Sequence, residues 1–355
     1  MAMYIYFIRT YYPHWGKHSG IHQFVKYLNS QIYESETWLA SDSDEGFPIK
    51  NNVIRAYLRH KVQEQGMQWY KLSDLVAEFK AVQKAWSYKV DIIHYLDGEH
   101  SAQFLPKLFT LSHTRQPKLV ATYHQPPELL DTLINKRIIP QLDFIVVVSP
   151  EQVSYFAEYI EPHKICLILH GIDTDYFKPH RYRRESKSFK CITVGKYLRD
   201  FDALRKVAEM LSSEKYIEFH LVSSNASNQQ KLPNIKVYQG ISDTDLLALY
   251  QQSDILFLPL TQSTANNALL EGIACGLPVI STDLPSVRTY LPSKEAILIQ
   301  DNRPEKVVEA ILYLKNHPSE REIMGISARK RAEELSWRNI SPSYEKIYSQ
   351  LCSFV

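Results

Sequence analysis

The chain has 355 residues, 45% of them apolar and 23% charged, an ordinary balance for a soluble globular protein and enough length for two α/β domains with separate cores. A formal charge of +2 leaves no electrostatic footprint for nucleic acid, and no uninterrupted apolar run approaches the ~18 residues that span a bilayer. Cys166, Cys191, Cys275 and Cys352 lack metal-ligand spacing and read as buried free thiols in a reducing cytoplasm.

Residues 1–8 (MAMYIYFI) have no basic leader region and read as a first strand over 4–8. A polar and aromatic loop, YYPHWGKHSG at 11–20, precedes a helix starting at Ile21. In a doubly wound sheet that loop lies at the crevice edge. No G-x-G-x-x-G is present, which disfavours a dinucleotide dehydrogenase. Residues 55–89 are helical in pattern, with Tyr57, Trp69, Tyr70, Phe79, Trp86 and Tyr88 among seven Lys/Arg and three Asp/Glu side chains. Such a segment can rest on anionic lipid, at ~1 kcal/mol per cation near the surface, or be a solvated face with its aromatics in the core.

Strands follow at 91–94, at 118–123 with His124 just beyond, at 144–148 and at 165–169. A histidine at a strand end is either a structural hydrogen-bonder or a functional group. The polar, basic run 178–190 reads as a linker. The second half opens with a strand at 191–194, then Gly195, Lys196 and Arg199; further strands end near Ser224 and Ile241. Asp173-Thr174-Asp175 and Asp243-Thr244-Asp245 match a metal-binding D-x-D, but one lies at the linker and the other caps a helix, so no metal site is assigned.

The densest signal is TQSTANNALLEGIACGLPVISTDLPSVR at 261–288. The apolar run 254–260 reads as a buried strand. Thr264, Asn266 and Asn267 can each cap the helix that begins near Ala268, Gly276 falls at its left-handed end, and Pro278 stops it before a strand at 279–282. The first amides of such a helix can hold a phosphate. Glu271, one turn in, can accept both hydroxyls of a ribose whose diphosphate rests there, or it can simply face water.

L-L-E-G-x-A-C-G-L-P-V-I-S-T resembles the signature of the retaining glycosyltransferases of family 4, and the likeness extends over nearly the whole chain. It implies an α/β, GT-B architecture of two Rossmann-like domains with parallel sheets facing across a cleft: 1–177 as the acceptor domain, 178–190 as linker, 191–335 as the nucleotide-sugar domain, and 336–355 as a helix returning to the first. The two halves would close on the donor. By resemblance Glu271 binds the nucleotide ribose, and Ser263 stands where the family carries a second glutamate. Backbone amides of Thr264, Ala265, Asn266, Asn267 and Ala268 would serve the sugar and the β-phosphate. Gly16, Ser19 and Gly20 match the loop that meets the diphosphate, and Gly240 and Ile241 pass the base. His124 approaches the sugar. Lys196 takes the place of a family arginine on the diphosphate; Phe201 occupies that of a lysine, a cation Arg199 could supply.

The activity implied is metal-independent, cofactor-free transfer from a nucleotide-sugar, a UDP-sugar in the first instance, to a saccharide or lipid-linked saccharide. The leaving phosphate itself would help deprotonate the acceptor. Two alternatives stay open: a non-catalytic nucleotide-sugar-binding subunit, suggested by Ser263 and Phe201, and a related GT-B enzyme such as an epimerase or phosphorylase. The implied location is cytoplasmic, with peripheral contact with anionic membrane as a further use of the basic helix.

Overall fold

The computed structural model describes residues 2–12, 16–44, 46–63, 67–87, 90–104, 116–180, 187–224 and 232–352. Two compact units emerge: one of Met1–Trp15, Phe24–His170 and Ile340–Val355, the other of Gly16–Gln23 and Gly171–Asn339. Residues 88–89 of the basic segment and 181–186 of the expected linker lie outside the described residues.

In the first unit β1 (Met3–Tyr11), β2 (Tyr33–Ser41), β3 (Ile92–Tyr95), β4 (Lys118–Tyr123), β5 (Phe144–Val147) and β6 (Ile165–Leu167) form one sheet in the order β2-β1-β3-β4-β5-β6. Every pairing is parallel. Because β1 has β2 on one side and β3 on the other, the carboxyl ends of β1 and β3 flank a topological switch point, where doubly wound sheets bind ligands. All four residues of β3 are buried, as a central parallel strand covered on both faces requires. Ile93, Tyr95, Ala121, Tyr123, Ile145 and Val147 pack with Leu130 and Phe156 in its core.

Helices α1 (Asn52–Gln63), α2 (Leu72–Ser87), α3 (Gly98–Ser101), α4 (Pro127–Leu133) and α5 (Pro150–Phe156) connect these strands. The basic aromatic segment is thus two helices rather than one. Met67 and Tyr70 between them are buried, whereas Tyr57, Phe79 and Trp86 are 60%, 53% and 58% exposed. These three aromatics do not fill the core. The expected helix at Ile21 is a 3-10 turn over Ile21–Tyr27.

The second unit repeats the plan. Its strands are β7 (Phe189–Val194), β8 (Ile217–Val222), β9 (Ile235–Tyr238), β10 (Ile255–Leu258), β11 (Val279–Thr282) and β12 (Ala296–Ile299). They lie parallel in the order β12-β11-β10-β7-β8-β9. The switch point falls between β7 and β10, so the loops leaving those two strands share one crevice. Helices α6 (Phe201–Met210), α7 (Asp243–Gln252), α8 (Asn267–Ala274), α9 (Pro285–Tyr290), α10 (Pro304–Asn316) and α11 (Pro318–Glu334) complete it. Leu204, Val207, Phe219, Leu221, Phe257, Ile280 and Ile311 fill its core.

The last helix, α12 (Trp337–Cys352), contributes Ile340 onward to the first unit. There Tyr348 Oη lies 2.6 Å from Nδ1 of the buried His94, whose Nε2 is 2.8 Å from Thr122 Oγ1. Tyr344 stacks on Phe24 at 4.1 Å. Gly171 of the second unit has no room for a side chain, since a Cβ there would come 2.6 Å from the buried Trp337 ring. Among the described residues no helix is long and apolar enough to cross a membrane. All four cysteines are free, but only Cys191 and Cys275 are buried as expected; Cys166, at the edge strand β6, and Cys352, at the end of α12, are partly exposed.

Candidate active site

In the second unit the site is built on the loops that leave β7 and β10. Gly195 follows β7 at φ +91°, and a Cβ there would sit 3.1 Å from Arg199 Nη2. Leu198 is also left-handed, at φ +56°. This curls the loop back so that Thr261 N–H donates to the Leu198 carbonyl at 3.1 Å and Asp200 N–H to that of Pro259 at 2.9 Å. Buried Asn302 donates to Asp200 at 3.2 Å and to the Leu260 carbonyl at 2.9 Å, tying three strand ends together.

Arg199 does not project as a free cation. Its Nε and Nη2 donate to the Val194 carbonyl at 3.1 and 2.9 Å, Nη1 to that of Tyr197 at 2.9 Å, and Nη2 also to Asn266 Oδ1 at 3.2 Å. Burial lowers its pKa to about 10, so it remains charged at neutral pH. Of the three candidate caps, Asn266 is the N-cap of α8, accepting from Leu269 N–H at 3.3 Å. A guanidinium therefore stands beside a helix start whose first amides lack intrahelical acceptors. Lys196 is exposed and makes no hydrogen bond or ion pair among the described residues. Ser263 donates locally, to the Thr264 carbonyl at 3.2 Å. Thr264 and Ala268 are buried, Ala265 and Asn267 partly exposed.

Glu271 does not face water: it is 5% exposed. Its Oε1 accepts from Ser19 Oγ at 2.5 Å and its Oε2 from the buried Tyr250 hydroxyl at 2.8 Å. Burial raises its pKa to about 7 against those two hydrogen bonds; Asp243 adds to the rise and Arg199 opposes it. Tyr250, on α7, carried no sequence signal, because its role depends on a helix reached through another strand. Residues 16–20 gather on the same elements. Lys17 N–H donates to Asp243 Oδ2 at 2.9 Å, and Gly16 sits so close that a Cβ would meet Asp243 at 2.9 Å. His18 pairs with Asp173 at 3.0 Å and stacks on Tyr176 at 3.5 Å. Gly20 has φ +103°.

Asp243 and Asp173, set aside as metal ligands, thus hold this loop, and α7 is capped by Ser242. Just ahead of α7, Gly240 adopts φ +61° with open space beside it, and Ile241 is partly exposed. No group of three or more His, Cys, Asp or Glu residues suited to a metal occurs among the described residues.

His124 belongs to the first unit. Its Nε2 is 2.8 Å from the Leu96 carbonyl, so that nitrogen carries the proton, and its backbone N–H donates to Glu99 Oε1 at 3.0 Å. Burial lifts the Glu99 carboxyl to about 7, against the pull of His124. Sequence reading missed Glu99, which lies in α3 directly after β3. Nearby, Tyr12 Oη is 2.8 Å from His100 Nε2, and Trp69 stacks on the His100 ring at 5.1 Å.

Two six-stranded parallel sheets in Rossmann-like units, one with a capped helix start and a buried glutamate at its switch point, are the makings of a GT-B glycosyltransferase. The model of the family "Glycosyltransferase Family 4" matches residues 18–176 and that of "Glycosyl transferases group 1" matches residues 218–331. The chain belongs to the group 1, family 4 glycosyltransferases. It is 20% identical over 247 residues to a D-inositol 3-phosphate glycosyltransferase of Corynebacterium diphtheriae, covering 61% of this chain and 58% of that protein. Sucrose-phosphate synthase from Thermosynechococcus elongatus shares the fold at a TM-score of 0.73 and 15% identity, over 99% of this chain and 100% of that one. Anabaena HepE, solved with UDP and glucose, does so at 0.68 and 12%, over 98% and 100%.

Proposed function

We propose that the protein is a retaining, metal-independent hexosyltransferase that moves a sugar from a UDP-sugar to a saccharide or lipid-linked saccharide acceptor. The observation that carries this reading is the placement of Glu271 one turn inside a helix whose start is flanked by Arg199 and capped by Asn266. The helix amides at Asn267 and Ala268, with Lys196 and Arg199, bind the diphosphate and stabilise the charge that builds on it as it departs. Glu271 takes the ribose, Gly240 and Ile241 pass the base, and the loop carrying Gly16, Ser19 and Gly20 lies beside the donor. His124 takes the sugar, with its ring held by the Leu96 carbonyl. UDP is the favoured donor base because related folds such as HepE have been solved with it.

A nucleotide-binding subunit without transfer is the second reading. It is favoured by Arg199, whose donors already serve protein acceptors, and by Phe201, which opens α6 where the family has a cation. Peripheral contact with anionic lipid is supported by α1, which has no acidic residue and exposes Val53, Ile54 and Tyr57. Four free thiols fit a reducing, cytoplasmic setting.

Calorimetry with UDP on wild type and Glu271→Ala tests the nucleotide assignment. The expected loss is about 1.5–3 kcal/mol, the worth of hydrogen bonds to a charged acceptor; an unchanged affinity in a folded mutant removes Glu271 from the donor site. Mass spectrometry with a nucleotide-sugar panel in excess chelator tests transfer, and NMR of the product reads the anomeric configuration. Binding without turnover on any acceptor favours the second reading, and an inverted product rejects the mechanism.

A further inference from the structure

The carboxylate assigned to the ribose is already occupied. Ser19 Oγ donates to Glu271 Oε1 at 2.5 Å, as a sugar hydroxyl would, and both groups are buried. The contact is not an isolated accident of one rotamer, because the backbone around it is fastened on both sides. Lys17 N–H is held by Asp243, and His18 by Asp173 and by stacking on Tyr176. Beyond Ser19, Gln23 N–H donates to the Gly20 carbonyl at 3.2 Å. The left-handed Gly20 lets the chain turn away directly after the serine has docked. The other oxygen of Glu271 is held from within the helical layer by Tyr250, which has no reason to leave when a ligand arrives.

We propose that Ser19 is an internal stand-in for a ribose hydroxyl, so that nucleotide must displace it from Glu271 and the loop 16–20 thereby sets nucleotide affinity. The inference rests on the nucleotide reading of Glu271. It follows from linkage: a ligand whose competent state is only a fraction of the population binds more weakly by that fraction. A hydrogen bond to a buried carboxylate is strong enough to make that fraction small. Ser19 then affects binding in the direction opposite to an ordinary ligand-contacting serine.

Calorimetry with UDP on Ser19→Ala, Tyr250→Phe, Glu271→Gln and the double variant Ser19→Ala/Glu271→Gln makes the test. Ser19→Ala is expected to bind UDP about tenfold more tightly. Tyr250→Phe, which loses a bond the nucleotide does not compete for, is expected not to tighten binding. In the Glu271→Gln background the Ser19 effect should shrink to less than threefold. Unchanged or weaker binding by Ser19→Ala, with Glu271→Gln still impaired, overturns the stand-in role and leaves the ribose site intact. Equal tightening by Ser19→Ala and Tyr250→Phe also overturns it, since any loosening of Glu271 would then suffice. If Glu271→Gln binds UDP like wild type, the nucleotide reading itself falls, and this proposal with it.

Discussion

Lys196 and Arg199 carry the same charge on one loop, and their surroundings assign them different work. Lys196 is exposed, so in the proposed reading its ammonium can reach a diphosphate without giving up a bond to the protein. Arg199 bonds to two carbonyls and the Asn266 cap, so it shapes the loop as well as its field. Lys196→Ala should therefore leave stability within about 0.5 kcal/mol of wild type. It should lower kcat about 10²–10³-fold, the ~2.7–4 kcal/mol typical of a lost transition-state contact. Arg199→Ala should lower both, because the Val194 and Tyr197 carbonyls lose their donors. Urea titration beside steady-state kinetics separates the two; equal destabilisation by both substitutions would contradict this division. Gly195 could not be exchanged for alanine without strain, given its φ and the nearby guanidinium.

At the level of elements, α8 and α12 show how helices are placed by polar contacts as much as by apolar faces. α8 starts where Asn266 caps it and stops where Gly276 turns left-handed, at φ +75°. α12 is held to the first unit by Tyr348 against His94, and by Asn29 N–H and Tyr33 Oη, which donate to Glu345 Oε1 and its carbonyl at 2.7 and 3.0 Å. Burial lowers the His94 pKa to about 3, so the ring is neutral and serves Thr122 and Tyr348 together. His94→Ala should cost about 3 kcal/mol, combining a cavity with two buried hydroxyls left short of partners. Denaturant unfolding monitored by circular dichroism is the measurement. A loss below 1 kcal/mol would mean that the His94 bonds contribute little to holding α12.

Across the whole molecule each unit buries a glutamate beside its switch point: Glu99 in the first and Glu271 in the second, both raised by burial to about 7. A carboxyl whose folded pKa exceeds its unfolded value contributes stability that is full below the unfolded pKa, near 4.5, and is lost as pH rises through 7. Replacing either with glutamine removes that penalty. Glu99→Gln and Glu271→Gln should thus gain on wild type between pH 5 and pH 8, by up to roughly 3 kcal/mol each. Urea titrations at the two pH values check this, and a pH-independent difference would show that the carboxyls ionise normally. UDP affinity should fall as pH drops below 7, since a protonated Glu271 is a poorer acceptor for ribose hydroxyls.

How much of this was legible in the sequence varies with the range of the interaction. The βαβ unit around Glu271 could be read almost to the residue, because caps, the glycine stop and a fully buried strand are local consequences of side-chain chemistry. β2 and β12 went unread. In β2 the run YESETWLAS leaves most residues exposed at a sheet edge, so neither alternation nor an apolar block marks it. The 3-10 turn at Ile21 was likewise settled by packing rather than propensity, whereas the break at Met67 directly follows Gly66, a poor helix former. The contacts that define the site are longer-range still. Ser19 meets Glu271 across 252 positions, and Lys17 meets Asp243 across 226. Periodicity reports which face of an element is apolar, not which distant hydroxyl will satisfy a buried carboxylate. The sequence by itself therefore determined the class of fold, the helix that can hold a phosphate and the glutamate within it. Only the tertiary structure decided that this glutamate is buried, shared between Ser19 and Tyr250, and raised in pKa, because each of those properties is set by groups that only folding brings together.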